Sequence, residues 1–375
     1  MTIFFDLLKV AVGQKRCLSY TPNAEEWQKM FDMAEKQAVL GVCFKAVEVL
    51  HLQKQTPPQE LLYEWIGAAE SIRATNELVN KRCSKLQANL DAAGIRSSIL
   101  KGQAIAKLYR NVDLGLNLND NSVDLSMYRQ SGDVDVYVDC GLKEALQFAK
   151  KNGCKDVEWD YKHLHLNVFQ DTEVEIHYRV EVMLNIWKNR KLQKWFKKHE
   201  EWLFCQQEEL IAPTIEFNRF YILLHIYRHF LYEGVGMRQL MDYYFVLKAQ
   251  NESIIDNAQL IITLKEFAMM RFARGIMWVM QTVFGLEKEY LICEPLEREG
   301  QFILKEIMTG GNFGHYDERI NKNRHGKMDT VKAVCKHNWH LIQHYPSEVI
   351  WPPIWFVCHK CWKITMRRQL IKIIQ

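Results

Sequence analysis

The sequence predicts an α+β fold, a small mixed sheet carried between large helical regions. Three observations predict it. Apolar residues recur at helical spacing through roughly the first ninety residues, four short segments between residues 95 and 179 have strand character, and helical spacing resumes at Glu181 and runs almost to the C-terminus. The chain has 375 residues, of which 48% are hydrophobic and 25% charged, enough to bury a full core and to exclude disorder, collagen and coiled coil as whole-chain readings. Lys plus Arg number 49 against 45 Asp plus Glu, a formal charge of +4 that falls short of the basic balance of a dedicated nucleic-acid module. Nucleic acid therefore stays open as a partner but is not indicated. Three segments are expected: a helical 1–92, a sheet-bearing 93–180 and a helical 181–375.

The run Met1 to Gly13 is broken by Asp6 and Lys9 and reads as an amphipathic helix. Helical spacing continues from about Asn23 to Leu52 (Trp27, Met30, Phe31, Ala34, Ala38), and Thr56-Pro-Pro58 separates it from a second pattern reaching Asp91. Ile95 to Leu100 then reads as a strand, Lys101-Gly102 as a tight turn and Gln103 to Tyr109 as a helix. Residues Asn111 to Gln130 lack a period and read as a long loop. In 133–139 the residues Val134, Val136 and Val138 alternate with acids, which predicts a strand with its carboxylates on one face. A helix follows over Leu142 to Lys151, then strands over His163 to Phe169 and Glu173 to Arg179.

Carboxylates on one sheet face repel unless a cation compensates them. Asp133 and Asp135 stand at alternate strand positions, about 6–7 Å apart on one face, and Glu175 offers a third carboxylate from another strand. That spacing suits a hard divalent cation such as Mg²⁺, which binds through one or two carboxylates plus substrate phosphates. For an isolated D-x-D pair, the plainer reading is a solvated face of an antiparallel sheet.

Three motifs in order tip the balance: Leu100-Lys-Gly102, Arg129-Gln-Ser-Gly-Asp-Val-Asp-Val136 and Val174-Glu-Ile-His-Tyr-Arg179. Together they resemble a bacterial nucleotidyltransferase family with L-K-G, R-x-x-G-D-[IV]-D and [VI]-E-[IL]-H-[WY]-R patterns, a distant branch of the DNA-polymerase-β-like superfamily. A looser similarity runs through Leu224-His-x-x-x-His229 and Leu240-Met-Asp242 toward Leu247. The resemblance implies Mg²⁺-dependent transfer of a nucleoside monophosphate from an NTP to an acceptor hydroxyl, with one ion or two and Mn²⁺ as a substitute. It assigns Asp133, Asp135 and Glu175 as metal ligands and catalytic carboxylates. Lys101, Gly102, Gln103, Arg129 and Gly132 would bind the nucleotide, with His177 and Arg179 just behind them. The superfamily usually carries Gly-Ser at the turn where this chain has Gly102-Gln103, and the span from Gly102 to Asp133 is longer than usual.

Other features have plainer readings. No G-x-x-x-x-G-K-[ST] or G-x-G-x-x-G occurs, so neither a P-loop nor a dinucleotide fold is supported. Cys358 and Cys361 have a spacing that two zinc-bound thiolates can share, yet Cys335, His337, His340 and His344 complete no zinc pattern, and reduced structural thiols explain the pair. His163 and His165 share a strand face, where a histidine is usually structural. His225 and His229, one helical turn apart among apolar neighbours, read as packing. The basic run Lys360 to Lys372 reads as a solvated helix face. No stretch approaches the ~18 apolar residues of a membrane span, and the scattered cysteines without a signal peptide suggest a reducing cytoplasm. The expectation opposed to catalysis is a protein of the same fold that uses its helical region to bind a partner. The acceptor and the oligomeric state are not legible.

Overall fold

A computed structural model describes residues 2–115, 122–249, 257–312 and 339–374. The chain forms two compact units that cut across the three expected segments: Met1–Glu77, Ile105–Ser131 and Asn218–Thr330 make one, and Leu78–Ala104, Gly132–Phe217 and Val331–Gln375 the other. The architecture is α+β, as expected, with a small mixed sheet and many helices.

The first unit is mainly helical. Helices α1 (Thr2–Ala11), α2 (Ala24–Lys36), α3 (Leu40–Leu52) and the start of α4 (Gln59–Ala92) arise where apolar periodicity foresaw them. Asn23 caps α2 in a capping box with Glu26, which satisfies two backbone N–H groups that the helix start would otherwise leave open. Residues 111–130, read as a loop, contain a short hairpin of β2 (Val112–Asp113) and β3 (Ser122–Val123) and a 3₁₀ turn at Ser126–Tyr128; residues 116–121 lie outside the described ones. Strands of two residues are too short to show a period. After them the helices α8 (Ile215–Tyr232), α9 (Met237–Lys248), α10 (Asn257–Glu266), α11 (Met270–Val279) and α12 (Glu297–Gly310) complete the unit.

The second unit carries a four-stranded sheet of β1 (Ser97–Ile99), β4 (Val134–Val138), β6 (Val174–His177) and β5 (His163–Leu166), in the order β1-β4-β6-β5. The β4–β6 pair is parallel and both outer pairs are antiparallel. Alternation sorts the side chains onto two faces. Ile99, Val134, Val136, Val138, Leu164, Leu166, Val174 and Ile176 face a core shared with the second half of α4 (Val79, Cys83, Leu86, Leu90) and with α6 (Leu142–Lys151; Leu146, Phe148). Burying those side chains at roughly 1.5–3 kcal/mol each fixes which face of the sheet stays polar.

The helical reading from Glu181 onward misses one feature. Between α7 (Ile186–Lys198) and α8 lies a hairpin of β7 (Cys205–Gln207) and β8 (Leu210–Ala212). Its turn uses Glu208 at φ +53° rather than glycine or asparagine, so the usual turn signal is absent. The amide of Gln87 on α4 holds it, donating to the Ile211 carbonyl and accepting from the Ile211 N–H. At the C-terminus, after a short α13 (Pro346–Val349), α14 (Pro352–Ile374) sets Trp355 and Trp362 edge-on against Tyr161 and Trp159. Among the described residues no helix is long and apolar enough to cross a membrane.

Candidate functional site

The polar face of the sheet is built by register. Asp135 on β4 lies directly beside Glu175 on β6, and Glu175 in turn lies directly opposite His165 on β5. One step along, Tyr137, His177 and His163 form a second row. The chemistry-bearing side chains of three strands therefore meet on one face, because each strand alternates and its other face is committed to the core.

Asp135 is buried, 2% exposed, and its Oδ1 meets the Lys101 ammonium Nζ at 3.1 Å and the imidazole Nε2 of His177 at 2.9 Å. His177, equally buried, also donates to Glu175 Oε2 at 3.2 Å. It thus sits between the two carboxylates rather than behind them. Burial drives its ring toward neutrality, but the hydrogen bonds to Asp135 and Glu175 outweigh that and raise its pKa. Burial likewise raises the Glu175 carboxyl, and the His177 hydrogen bond reverses this and holds it below the ordinary carboxylate range. Lys101 is treated the same way: burial lowers its pKa, the surrounding charges of Asp135, Asp133 and Glu175 raise it further, and the ammonium persists. Burial and the neighbouring His177 push His163 down to about 4, so its imidazole is neutral at pH 7.

The remaining expected residues are distributed unevenly. Asp133 is half-buried just before β4, outside the donor groups that converge within 4.8 Å, yet its charge reaches Lys101. Gly102 adopts φ +60°, and this left-handed backbone is what requires glycine there; a Cβ would meet only the Asp133 carbonyl at 3.8 Å, an ordinary contact. The Leu100 N–H donates to the Asp135 carbonyl, tying the turn to β4. Gln103 is buried with its amide donating to Asn80, and Gly132 is exposed. Arg179 lies over the rings of Tyr161 and Tyr178 and donates to the Tyr161 carbonyl, so its guanidinium is used in packing.

Arg129 belongs to the first unit. It is 4% exposed and forms a two-pronged pair with Asp242 of α9, at 2.6 and 2.7 Å, which Tyr109 joins through its hydroxyl at 2.7 Å. Burial lowers and Asp242 raises the Arg129 pKa, with Asp242 prevailing, so the guanidinium remains charged. Asn76 donates to the carbonyls of Met127 and Arg129, both at 2.8 Å. Arg129 and Arg179 are thereby both engaged by protein groups. Of the plainer readings, His225 and His229 are buried on α8. Cys358 and Cys361 are exposed free thiols on α14, and among the described residues no third ligand converges on them; Cys335 and His337 lie outside those residues.

Two groups of donors on this face converge closely enough to share an ion, Asp135 with Glu175 and His177, and His163 with His165 and Glu175. A family model described as an uncharacterised nucleotidyltransferase matches residues 23–285. The chain belongs to this nucleotidyltransferase family. The match takes in the whole polar face and the Arg129–Asp242 pair, and leaves α14 outside. No curated protein and no solved structure matches this nucleotidyltransferase. The β5–β6 register brings His163 and His165, which the sequence reads as structural, to Glu175. The alternation of the two histidines was the available signal.

Proposed function

We propose that this nucleotidyltransferase moves a nucleoside monophosphate from an NTP to an acceptor hydroxyl with Mg²⁺, on a polymerase-β-like sheet. The observation that carries the reading is the side-by-side placement of Asp135 and Glu175 in parallel register on the polar face. These carboxylates suit a hard divalent cation, since oxygen donors are what Mg²⁺ selects. Asp133, Asp135 and Glu175 would hold it. When bound, Mg²⁺, or Mn²⁺ in its place, supplies charge to stabilise the attacking and leaving oxygens.

The chain's own residues do the rest. The acceptor oxygen bonds the α-phosphorus, the α–β phosphoanhydride breaks and pyrophosphate leaves; Glu175 takes the hydroxyl proton. Lys101, held charged inside the site, can exchange its contact with Asp135 for one with the triphosphate. His177 orients both carboxylates by donating to each. The turn at Gly102 sets Lys101 beside Asp135. Catalysis of this kind is positioning plus charge neutralisation.

The test incubates the protein with Mg²⁺ and each labelled NTP in the presence of cell extract, and follows label into small molecules, protein or RNA. Transfer by the wild type that Asp135→Ala lacks is the expected result. Equal binding of Mg²⁺-NTP and equal turnover by Asp135→Ala would sink the proposal.

A further inference from the structure

Glu175 presents its two oxygens to different partners. Oε2 accepts from His177 at 3.2 Å, while Oε1 faces β5, 3.6 Å from His163 Nε2 and 3.5 Å from His165 Nδ1. The two β5 rings approach at Nε2 to Nε2 3.3 Å. Ligands held tetrahedrally at roughly 2.0–2.1 Å from a zinc ion stand about 3.3–3.4 Å apart; with one nitrogen taken from each ring, the donor atoms of His163, His165 and Glu175 all lie within 4.8 Å of one another, so a turn of the exposed His165 ring closes the sphere.

We propose that His163, His165 and the Oε1 oxygen of Glu175 form a second metal site, selective for a divalent transition ion of the zinc and cobalt class. It rests on the reading above only in sharing Glu175. Imidazole nitrogens disfavour Mg²⁺, which takes oxygen ligands, and favour zinc, cobalt or nickel. The side chain of His165 is 54% exposed, which leaves ion entry from solvent and a fourth position for water or a substrate oxygen. Three protein ligands with an open position is the pattern of a reactive zinc site rather than a closed structural one. Glu175 would then bridge a hard-cation centre and a nitrogen-rich one.

The experiment titrates full-length protein with Co²⁺, without nucleotide, and reads the visible absorption of the bound ion; Zn²⁺ competition gives its affinity. Exposed Cys358 and Cys361 are replaced by serine in the parent so that thiolate binding does not intrude. One equivalent of Co²⁺ is expected, weakened about 10-fold or more by His165→Ala and by His163→Asn. Because His165 is largely exposed, its alanine variant should fold, which circular dichroism checks. No stoichiometric binding by the parent, or His165→Ala binding like the parent, would overturn the site and leave a ring-to-ring hydrogen bond. Asp135→Asn should keep Co²⁺ binding within about threefold of the parent; loss there overturns the separateness of the two sites. Transfer activity of Asp135→Asn is assayed in parallel and speaks only to the nucleotidyl-transfer reading.

Discussion

Asp242 and Asp135 are both buried acids, 6% and 2% exposed, yet the protein treats them oppositely. Asp242 meets a planar guanidinium that occupies both of its oxygens, with a tyrosine hydroxyl added. Charge and hydrogen bonding are satisfied within the protein, and the pair serves as an anchor. Asp135 meets a point charge, Lys101, and a titratable ring, His177, both at one oxygen, with Glu175 at its side. Lysine and histidine are the cations a protein can displace or deprotonate. A buried acid closed by an arginine fork builds structure, whereas one shared between lysine and histidine beside a second acid is what the proposed cation site requires.

The largest effect should come from Asp135. Asp135→Asn is expected to lower nucleotidyl transfer roughly 10³-fold, equivalent to about 4 kcal/mol of transition-state stabilisation, in a labelled-NTP assay. A variant with near-normal turnover would reduce Asp135 to a second anchor. Asp242→Asn leaves the buried Arg129 charge without its partner and should cost about 3–5 kcal/mol in urea unfolding. Little change in the midpoint would mean that the fork is not an anchor.

A third buried acid extends the comparison. Glu348 accepts from the N–H groups of Leu184 and Asn185, at 3.0 and 3.3 Å, and burial, only partly offset by Lys188, raises its carboxyl to about 7. Its folded pKa exceeds the ordinary value of 4.5, so the folded state binds the extra proton between those values and stability falls as pH rises from about 4.5 to 7. Unfolding free energies from urea titrations at pH 5 and pH 8 should differ by up to about 3 kcal/mol, and Glu348→Gln should flatten the difference. The smallest effect is at the turn. Gly102→Ala forces an L side chain into φ +60° and should cost about 1–2 kcal/mol with no steric clash to relieve. A cost near zero would show that the turn relaxes out of the left-handed region.

Much of this molecule is legible in its sequence because its signals are local. Alternation in 133–139 and 173–179 sets Asp135, Glu175 and His177 opposite a valine- and isoleucine-rich core face, and α6 occupies the stretch that its periodicity indicates. The hairpin β7–β8 escaped because strands of three residues have no measurable period and Glu208 disguises the turn. The role of Arg129 escaped for a different reason. Its motif offers an arginine fit for phosphate, and the carboxylate that pairs with it lies 113 residues away in the chain.

By itself, then, the sequence determined the fold class, the polar face of the sheet and the acids on it, since periods of two and 3.6 residues dictate which side chains must be buried together. Tertiary structure alone decided which of those side chains touch. The register of β5 on β6 brings His163 and His165 to Glu175, and the docking of α9 gives Arg129 to Asp242. Pairing register and helix docking are set by the sum of many distant contacts, and no local pattern records them.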